Sequence, residues 1–442
     1  MKINRSVPFF FLLALPLAAQ AIEFKPRLEA EGRWFYEAED EDSDAPPLGS
    51  VAGTLELFHG WSDNHQRIVG ELFGRYDEND DERTHADVRE LYYQQGGDEF
   101  EFRIGARRVF WGVTESRHLV DIINQSDFVE NISNELKLGQ PMISLALIGA
   151  AGTIEGFLMP FQRERTFPGD EGYPRLPLPV HEHEAMYQSK DEDRNRDYAV
   201  RYSNSFGPLD VGIAWFEGTA REPRLEACVR RGASGTTLSN PGAPNCTYPY
   251  TASFVQPPPT IPPQTMEEIT AQFAMEVRDN LVLVPFYDLW KQSSLDAQWV
   301  TGNMAWKIEA MHRKTRGELT WGSVAGFEYT FGDVRGTGID IGVLGEYLYD
   351  EKDDGLNTLF DDEVFVGMRV ALNDVAGTQV LAGALADRET RDARRYGIEA
   401  SGRLNDDWKL SAEARIFSRW PDDFSAFLAD QDFVTVTLER YF

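Results

Sequence analysis

Few residues of this chain have the types and spacing that chemistry requires. His181 to Glu184 alternate histidine with glutamate, but successive residues of an extended chain point to opposite sides, so the run predicts a solvated acidic loop rather than a zinc site. Ser116, His118 and Asp121 are the residue types of a hydrolytic triad, yet residues so close along a chain rarely form one. The sequence has no HExxH, GxSxG or GxxxxGKS/T motif. We therefore expect no enzyme activity, no cofactor and no metal.

A second set of residues could position a loop rather than react. Trp111-Gly112 directly follows a predicted strand, and Asp121, Asn124 and Asp127 come next at a spacing of three. At that spacing side chains share one face of a helix, where Asp and Asn cap helix ends or bind arginines. We predict a short helix or capped turn that folds back against the strands. Two roles stay open for these residues: pinning a long loop to a wall, and narrowing a passage.

A third set consists of charged residues that alternate with apolar ones along predicted strands. Lys307, Glu309 and Arg313, for example, share one face of a single strand. Charges of both signs on one wall either line a water-filled pore or pair with each other across a filled lumen. The candidates for this inner wall are Arg33, Arg103, Lys307, Glu309, Arg313, Arg369, Arg403 and Arg415.

The elements that must carry these residues are strands with two different solvents on their two sides. In the last ten residues, FVTVTLERYF, apolar Val434, Val436 and Leu438 alternate with polar neighbours. A strand that ends on an aromatic such as Phe442 resembles the assembly signal of bacterial outer-membrane β-barrels. Arg440 departs from that signal because it falls in the apolar register.

The rest of the chain repeats this pattern and predicts 18 strands, with sixteen as the alternative count. Connections alternate between short and long, so short turns gather at one end and long loops at the other. We therefore predict an all-β transmembrane antiparallel β-barrel with short periplasmic turns and long extracellular loops. The fifth strand is predicted over Phe100–Phe110, and the one after the longest loop over Ser294–Trp299.

The N-terminal residues have the features of a cleavable secretory signal. Lys2 and Arg5 precede a short apolar run, and Ala19-Gln20-Ala21 places small residues where a signal peptidase reads. We predict a signal peptide over 1–21 and a single barrel domain over 22–442.

Residues 218–292 form the longest stretch without strand periodicity. Their prolines would not fit a central strand, so they predict an external loop or a plug. Cys228 and Cys246 both lie there, and export to an oxidising compartment predicts a disulfide between them. The formal net charge of −30 argues against nucleic acid as a partner, because two polyanions repel each other.

Several short motifs resemble a family of uncharacterised bacterial outer-membrane porin-like proteins. They are the WG…DxxNxxD pattern, the stretch LDAQWVTGNMAWKIEAMHR and the ending LERYF. Gln125 stands where the family commonly has proline. The resemblance implies a passive channel, or the outer-membrane exit of a route for poorly soluble molecules.

We therefore predict a monomeric porin-like channel in the outer membrane of a Gram-negative bacterium. It would pass or export small solutes or poorly soluble molecules through a mixed-charge lumen. Its partners would be outer-membrane lipid, the barrel-assembly machinery and, if it exports, a periplasmic or inner-membrane component. The alternative is a closed barrel that acts as a receptor or docking platform through the loop 218–292.

Overall fold

The computed structural model describes residues 22–36, 48–131, 135–169, 171–173, 176, 178–229, 281–351, 362–388, 394–418 and 431–442. Among these residues, no helix is long and apolar enough to cross a membrane. Three single-turn 3₁₀ helices lie at Glu182–Glu184, Glu192–Arg194 and Val334–Gly336. The strands are β1 (Glu23–Tyr36), β2 (Leu48–Trp61), β3 (Gln66–Asp77), β4 (His85–Gly96), β5 (Phe100–Arg107), β6 (Gln140–Gly149), β7 (Gly152–Met159), β8 (Met186–Tyr187), β9 (Asp197–Phe206), β10 (Leu209–Thr219), β11 (Arg224–Val229), β12 (Leu281–Tyr287), β13 (Leu289–Thr301), β14 (Met304–Thr315), β15 (Glu318–Phe331), β16 (Asp340–Asp350), β17 (Asp362–Ala371), β18 (Gln379–Asp387), β19 (Arg394–Arg403), β20 (Trp408–Ser418) and β21 (Asp432–Tyr441).

Eighteen of these strands form one closed antiparallel barrel. Each pairs with its neighbour along the chain, except that β8, β11 and β12 are left out of the ladder. The sheet closes where β1 pairs with β21, from Arg27 opposite Tyr441 to Tyr36 opposite Asp432. Closure leaves no free edge strand, so every barrel strand has a hydrogen-bonded neighbour on both sides. The predicted fold and strand count are confirmed.

The period-two pattern separates an outer from an inner face. Along β16, Val343 and Tyr347 are each 40% exposed on the outside, while Leu344, Glu346 and Leu348 are buried inside. The same alternation occurs on β1, where Arg33, one of the predicted inner-wall residues, is buried on the inside. Each strand can therefore place apolar side chains on the exterior and polar side chains in the interior.

Arg440, the exception noted in the sequence, lies on the outer face at the end of β21. Its guanidinium carbon is 5.3 Å from the centre of the Trp408 ring and 4.7 Å from that of Phe442. Aromatic faces attract cations, so these two rings stabilise the charge on the outer face.

The connections sort by length as predicted. Short turns lie at the barrel end that also holds Glu23 and Phe442, whereas most connections at the opposite end are long. The two-residue turn Arg316-Gly317 is the short exception at that opposite end, and both of its residues have positive φ.

The predicted extent of the fifth strand is wrong, because β5 ends at Arg107 rather than Phe110. The backbone N–H of Arg108 donates to Glu90 Oε1 (3.1 Å) and that of Val109 to Asn124 Oδ1 (2.8 Å). Side chains thus take the hydrogen bonds that a neighbouring strand would otherwise accept, and the chain leaves the wall.

The region 218–292 is more ordered than predicted in its described parts. β11 pairs with β12, and β12 pairs with β8 in a separate three-stranded sheet. The next barrel strand, β13, begins at Leu289 rather than Ser294. The sequence of β12, LVLVPFY, is apolar at consecutive positions, so it lacks the period-two signal of a barrel strand. Residues 230–280 lie outside the described chain.

Candidate functional site

The connection between β5 and β6, residues 108–139, folds into the barrel lumen; we call it the inserted segment. Asn124 ties its two ends together. The Asn124 amide accepts from the backbone N–H of Val109 (2.8 Å) and donates to the carbonyls of Arg107 and Leu138 (2.8 Å each). One buried amide therefore fixes where the segment leaves the wall and where it returns.

Trp111, Gly112 and Asp121 lie within the same folded unit. The backbone N–H of Trp111 donates to Asp121 Oδ1 (3.2 Å), and Lys137 Nζ lies 3.3 Å from Asp121 Oδ2. Gly112 has φ +137°, and a Cβ there would lie 2.8 Å from Glu309 Oε1. Only glycine fits this contact between the segment and the wall.

Glu309 of β14 forms the first anchor for the segment. Its Oε1 accepts from the backbone N–H groups of Val113 (2.8 Å) and Thr114 (3.1 Å) and from the Thr114 hydroxyl (2.6 Å). The side chain is fully buried. Several donors on one carboxylate offset the cost of removing its charge from water.

Glu346 of β16 forms the second anchor. Its carboxylate accepts from the backbone N–H groups of Glu115 and Ser116 (2.8 Å each) and from the Ser116 hydroxyl. Arg369 Nη2 of β17 lies 2.8 Å from Glu115 Oε2. Three strands of one side of the wall, β14, β16 and β17, thus hold the turn that spans residues 112–118.

Of the two forms predicted for this segment, a short helix or a capped turn, the described residues form turns, together with an isolated bridge between Ser126 and Lys137, and no helix. Asp127 is bound by different partners from Asp121 and Asn124: Thr166 Oγ1 donates to it (3.0 Å) and Arg89 Nη2 lies 3.5 Å away. The segment's hydrogen bonds go to the wall and to other loops, so no helical i→i−4 ladder forms. The three residues do not share a helix face.

One side of the lumen is filled by apolar contacts between the inserted segment and β6, β7, β9, β10 and β13. The ring of Trp111 packs edge-on against Phe157, with 5.7 Å between centroids. The buried cluster consists of Val109, Trp111, Val120, Ile122, Ile123, Met142, Phe157, Met159, Ala199, Ala214, Phe216, Ala220 and Trp290.

A buried ionic network fills the side formed by β1–β4. Arg75 Nη2 lies 2.9 Å from Glu130 of the inserted segment and 3.6 Å from Glu29, and Arg75 Nη1 donates to Ser50 (2.6 Å). Arg83 Nη2 lies 2.8 Å from Glu31. These charges pair with one another across the lumen, which was one of the two predicted arrangements.

A cavity of about 740 Å³ lies between the inserted segment and the wall, and most of its wall residues belong to β17–β21 and β1. We call it the lumenal cavity. Loops that contain Arg165 and Arg221 also contribute to its lining. Of the residues that the sequence singled out, it brings together Arg33, Asp121, Arg313, Arg369 and Arg415.

The other predicted residues lie elsewhere. Trp111, Gly112, Asn124, Asp127 and Glu309 hold the inserted segment in place, as described above. Arg103 and Lys307 are on the inner wall outside this lining, next to Glu155 (3.2 Å) and Glu328 (3.1 Å) respectively. Arg403 is exposed at the short-turn end, with its guanidinium carbon 5.2 Å from the centre of the Tyr441 ring.

Sequence reasoning missed several residues of the site. Arg395, near the start of β19, lines the lumenal cavity, and its Nη2 lies 3.3 Å from Glu363 Oε2. Arg117 also lines the cavity and lies 3.2 Å from Asp350. The inward register of Glu346 was readable from the alternation of β16, but its contact with the inserted segment was not.

Three titratable groups of the inserted segment have a shifted pKa. Burial, followed by the charge of Glu130, raises the pKa of Asp127. Burial lowers the pKa of His118, but the hydrogen bond and charge of Glu309 outweigh burial and raise the pKa above its usual 6.5. Burial, followed by the charge of Glu399, raises the pKa of Glu135.

Outside the lumen, Glu82, Glu182 and His183 bring ligand-type atoms within 4.8 Å of one another. Burial, followed by the charge of Glu82, raises the pKa of Glu182 to about 7. Glu82 belongs to a different loop, so the sequence run at 181–184 gave no sign of this grouping.

The remaining predicted features stay predictions. Cys228 is buried beside Val282 and Val284, but Cys246 lies outside the described residues, as does the predicted signal peptide 1–21. Phe442 is 62% exposed at the end of the barrel, a position that does not test its role as an assembly signal.

No family model matches this chain, and no curated protein matches it. Among solved structures, a mutant of the Rhodopseudomonas blastica porin is 11% identical, with a TM-score of 0.41, and the match covers 96% of this chain and 100% of that one. A triple mutant of the same porin is 12% identical, with a TM-score of 0.40 and the same coverage. These values are too low to support an inference from those porins to this protein.

Proposed function

We propose that this protein is a channel in the outer membrane of a Gram-negative bacterium, and that small solutes pass through the lumenal cavity. The observation that carries the proposal is the cavity itself, of about 740 Å³, left between the inserted segment and the wall β17–β21 and β1 of a closed barrel. The short-turn end would face the periplasm and the long-loop end the outside.

The chemistry of the two faces supports this assignment. Outward apolar residues such as Leu28, Trp34, Val366 and Ile398 are exposed, which suits contact with lipid. The cavity instead carries charged side chains of both signs, which suit contact with water. Outer-membrane lipid and the barrel-assembly machinery, which would read the strand ending in Phe442, are the partners this function requires.

Single-channel recording in a planar bilayer tests the proposal with refolded residues 22–442. Wild type should give steady openings. Ser411→Trp places a large ring in the cavity lining on β20 and should reduce the conductance severalfold. Ala414→Trp is the matched control, because Ala414 is on the same strand, outside the lining and in the outward register.

A folded wild-type barrel that never opens would contradict the channel. If Ser411→Trp and wild type have equal conductance, solutes do not pass along β20 through the lumenal cavity. Heat-modifiable migration on SDS gels identifies the folded form of each variant, so a misfolded protein is not mistaken for a silent one.

A further inference from the structure

A row of apolar side chains runs around part of the inner wall. The interior of a water-filled barrel is expected to be polar, because apolar surface facing water is unfavourable. Five adjacent strands, β14 to β18, nevertheless place apolar residues inside. They are Met311, Val324, Leu344, Leu348, Phe365, Leu381 and Leu385.

The inserted segment covers only part of this row. Leu119 is 4% exposed and packs in the same cluster. Phe365, Leu381 and Leu385 also line the lumenal cavity, and we call these three residues the apolar floor. Leu136 of the inserted segment lines the same cavity and is 37% exposed. Apolar surface therefore reaches the cavity from the wall and from the segment.

The charges around the apolar floor largely neutralise one another. Arg395 lies 3.3 Å from Glu363, Arg369 lies 2.8 Å from Glu115, and Arg415 pairs with Glu399. Over the whole lining, ten Arg and Lys side chains face nine Asp and Glu side chains. The lining therefore does not select strongly for the sign of a solute's charge.

The guanidinium groups still favour one kind of polar partner. Each has five N–H donors and no acceptor. Arg369 lies near Glu115 and Glu328, and Arg415 near Glu399 and Glu413, so two carboxylates contact each group without using all five donors. Arg369 and Arg415, whose side chains are 35% and 23% exposed, border the apolar floor on β17 and β20. Oxygen acceptors on a solute match these donors.

We infer that the lumenal cavity is a binding subsite for amphipathic solutes, with an aromatic or short acyl body on the apolar floor and an oxygen-rich head at the arginines. The inference rests on the proposed channel function, because it names the class of solute that would pass. The volume of the lumenal cavity falls within the range of roughly 300–1,000 Å³ that is common for small-molecule sites.

Isothermal titration calorimetry tests the subsite on folded protein held in amphipol, where no free detergent competes. The probes are 4-phenylbutanoate, its uncharged amide 4-phenylbutanamide, and butanoate, which lacks the ring. Both ring compounds should bind about tenfold more tightly than butanoate, because only they bury apolar surface on the floor.

Leu381→Asn with Leu385→Asn should weaken 4-phenylbutanoate binding about tenfold. The matched variant, with methionine at both positions, keeps an apolar floor of similar volume and should bind like wild type. Arg103→Gln, outside the cavity lining, should also leave binding unchanged.

Equal affinity for butanoate and 4-phenylbutanoate would overturn the subsite, as would full binding by the double asparagine variant. The two proposals fail separately. A barrel that binds the probes but never conducts would contradict the channel proposal and support the subsite. A barrel that conducts normally but binds no probe would contradict only the subsite.

Discussion

At the scale of single residues, the lumen depends on carboxylates that bind backbone. Glu309 and Glu346 project from the wall and accept N–H groups from the turn 112–118. Such an anchor is specific, because it requires a backbone that approaches the wall closely, as Gly112 allows. Removing either carboxylate would leave several buried donors without their acceptor.

Glu309→Gln should loosen the inserted segment. The amide keeps one acceptor oxygen but turns an NH₂ group toward N–H donors, at a cost on the order of 2 kcal/mol. Hydrogen exchange at Val113 and Thr114 should accelerate. The control is Glu439→Gln, a buried carboxylate on β21 that pairs with Lys409 (3.2 Å) and Arg27 (3.5 Å) rather than with the segment. Unchanged exchange in Glu309→Gln would show that this anchor does not hold the segment.

The raised pKa of His118 predicts how docking depends on pH. A folded-state pKa above 6.5 means that the stabilisation from protonated His118 is fully present below about pH 6.5 and is lost as pH rises through the folded-state pKa. Protection of the Thr114 amide should therefore fall over that range in wild type. His118→Asn should show no such change, and an identical pH profile in both proteins would exclude His118 as the titrating group.

At the scale of elements, the positions of strands and of the inserted segment are determined by different interactions. Each barrel strand is fixed by the solvents on its two faces, whereas the inserted segment is fixed by individual side chains. Asn124 joins both ends of the segment through hydrogen bonds at 2.8 Å. The segment is thus held at its base by Asn124 and at its tip by the wall.

Asn124→Ala should weaken that base. Three hydrogen bonds are lost and their buried backbone partners are left unsatisfied, which costs on the order of 2–3 kcal/mol. Limited proteolysis should then cut within residues 108–139 faster than in wild type. Asn204→Ala, in a barrel strand away from the segment, is the control and should be cut at the wild-type rate. If Asn124→Ala is cut as slowly as wild type, contacts other than those of Asn124 hold the two ends of the segment.

The difference between the elements explains how much could be predicted. The strand count followed from alternation such as that of Val434, Val436 and Leu438, because lipid and lumen impose period two on every strand. The contacts of Asn124 and Glu346 could not be predicted in this way. They join residues that are distant in sequence, and the helical spacing of 121, 124 and 127 suggested a local structure that does not form.

At the scale of the whole molecule, the lumen is divided into three parts. A buried ionic network around Arg75 and an apolar cluster around Trp111 occupy two of them, and the lumenal cavity occupies the third. The chain carries a net charge of −30, yet the cavity lining is nearly balanced. Most of the acidic excess therefore lies outside the path we propose.

This balance predicts weak ion selectivity. In a salt gradient the reversal potential should stay close to zero, because the lining itself carries little net charge. Strong cation selectivity would instead place the controlling charges outside the cavity, in the acidic part of the chain. Repeating the measurement at high salt separates these cases, since screening weakens the influence of distant exposed charges first.

The most direct test of the central claim is cysteine modification along β20 during single-channel recording. A charged methanethiosulfonate reagent should block current in discrete steps when it reacts with Ser411→Cys, whose position lines the cavity. It should leave the current unchanged in Ala414→Cys and in wild type. The wild-type recording is the control for reaction of the reagent with the native cysteines. Block at position 411 and none at 414 is the result we predict. The opposite pattern, or no block at either position, would contradict a solute path along this wall.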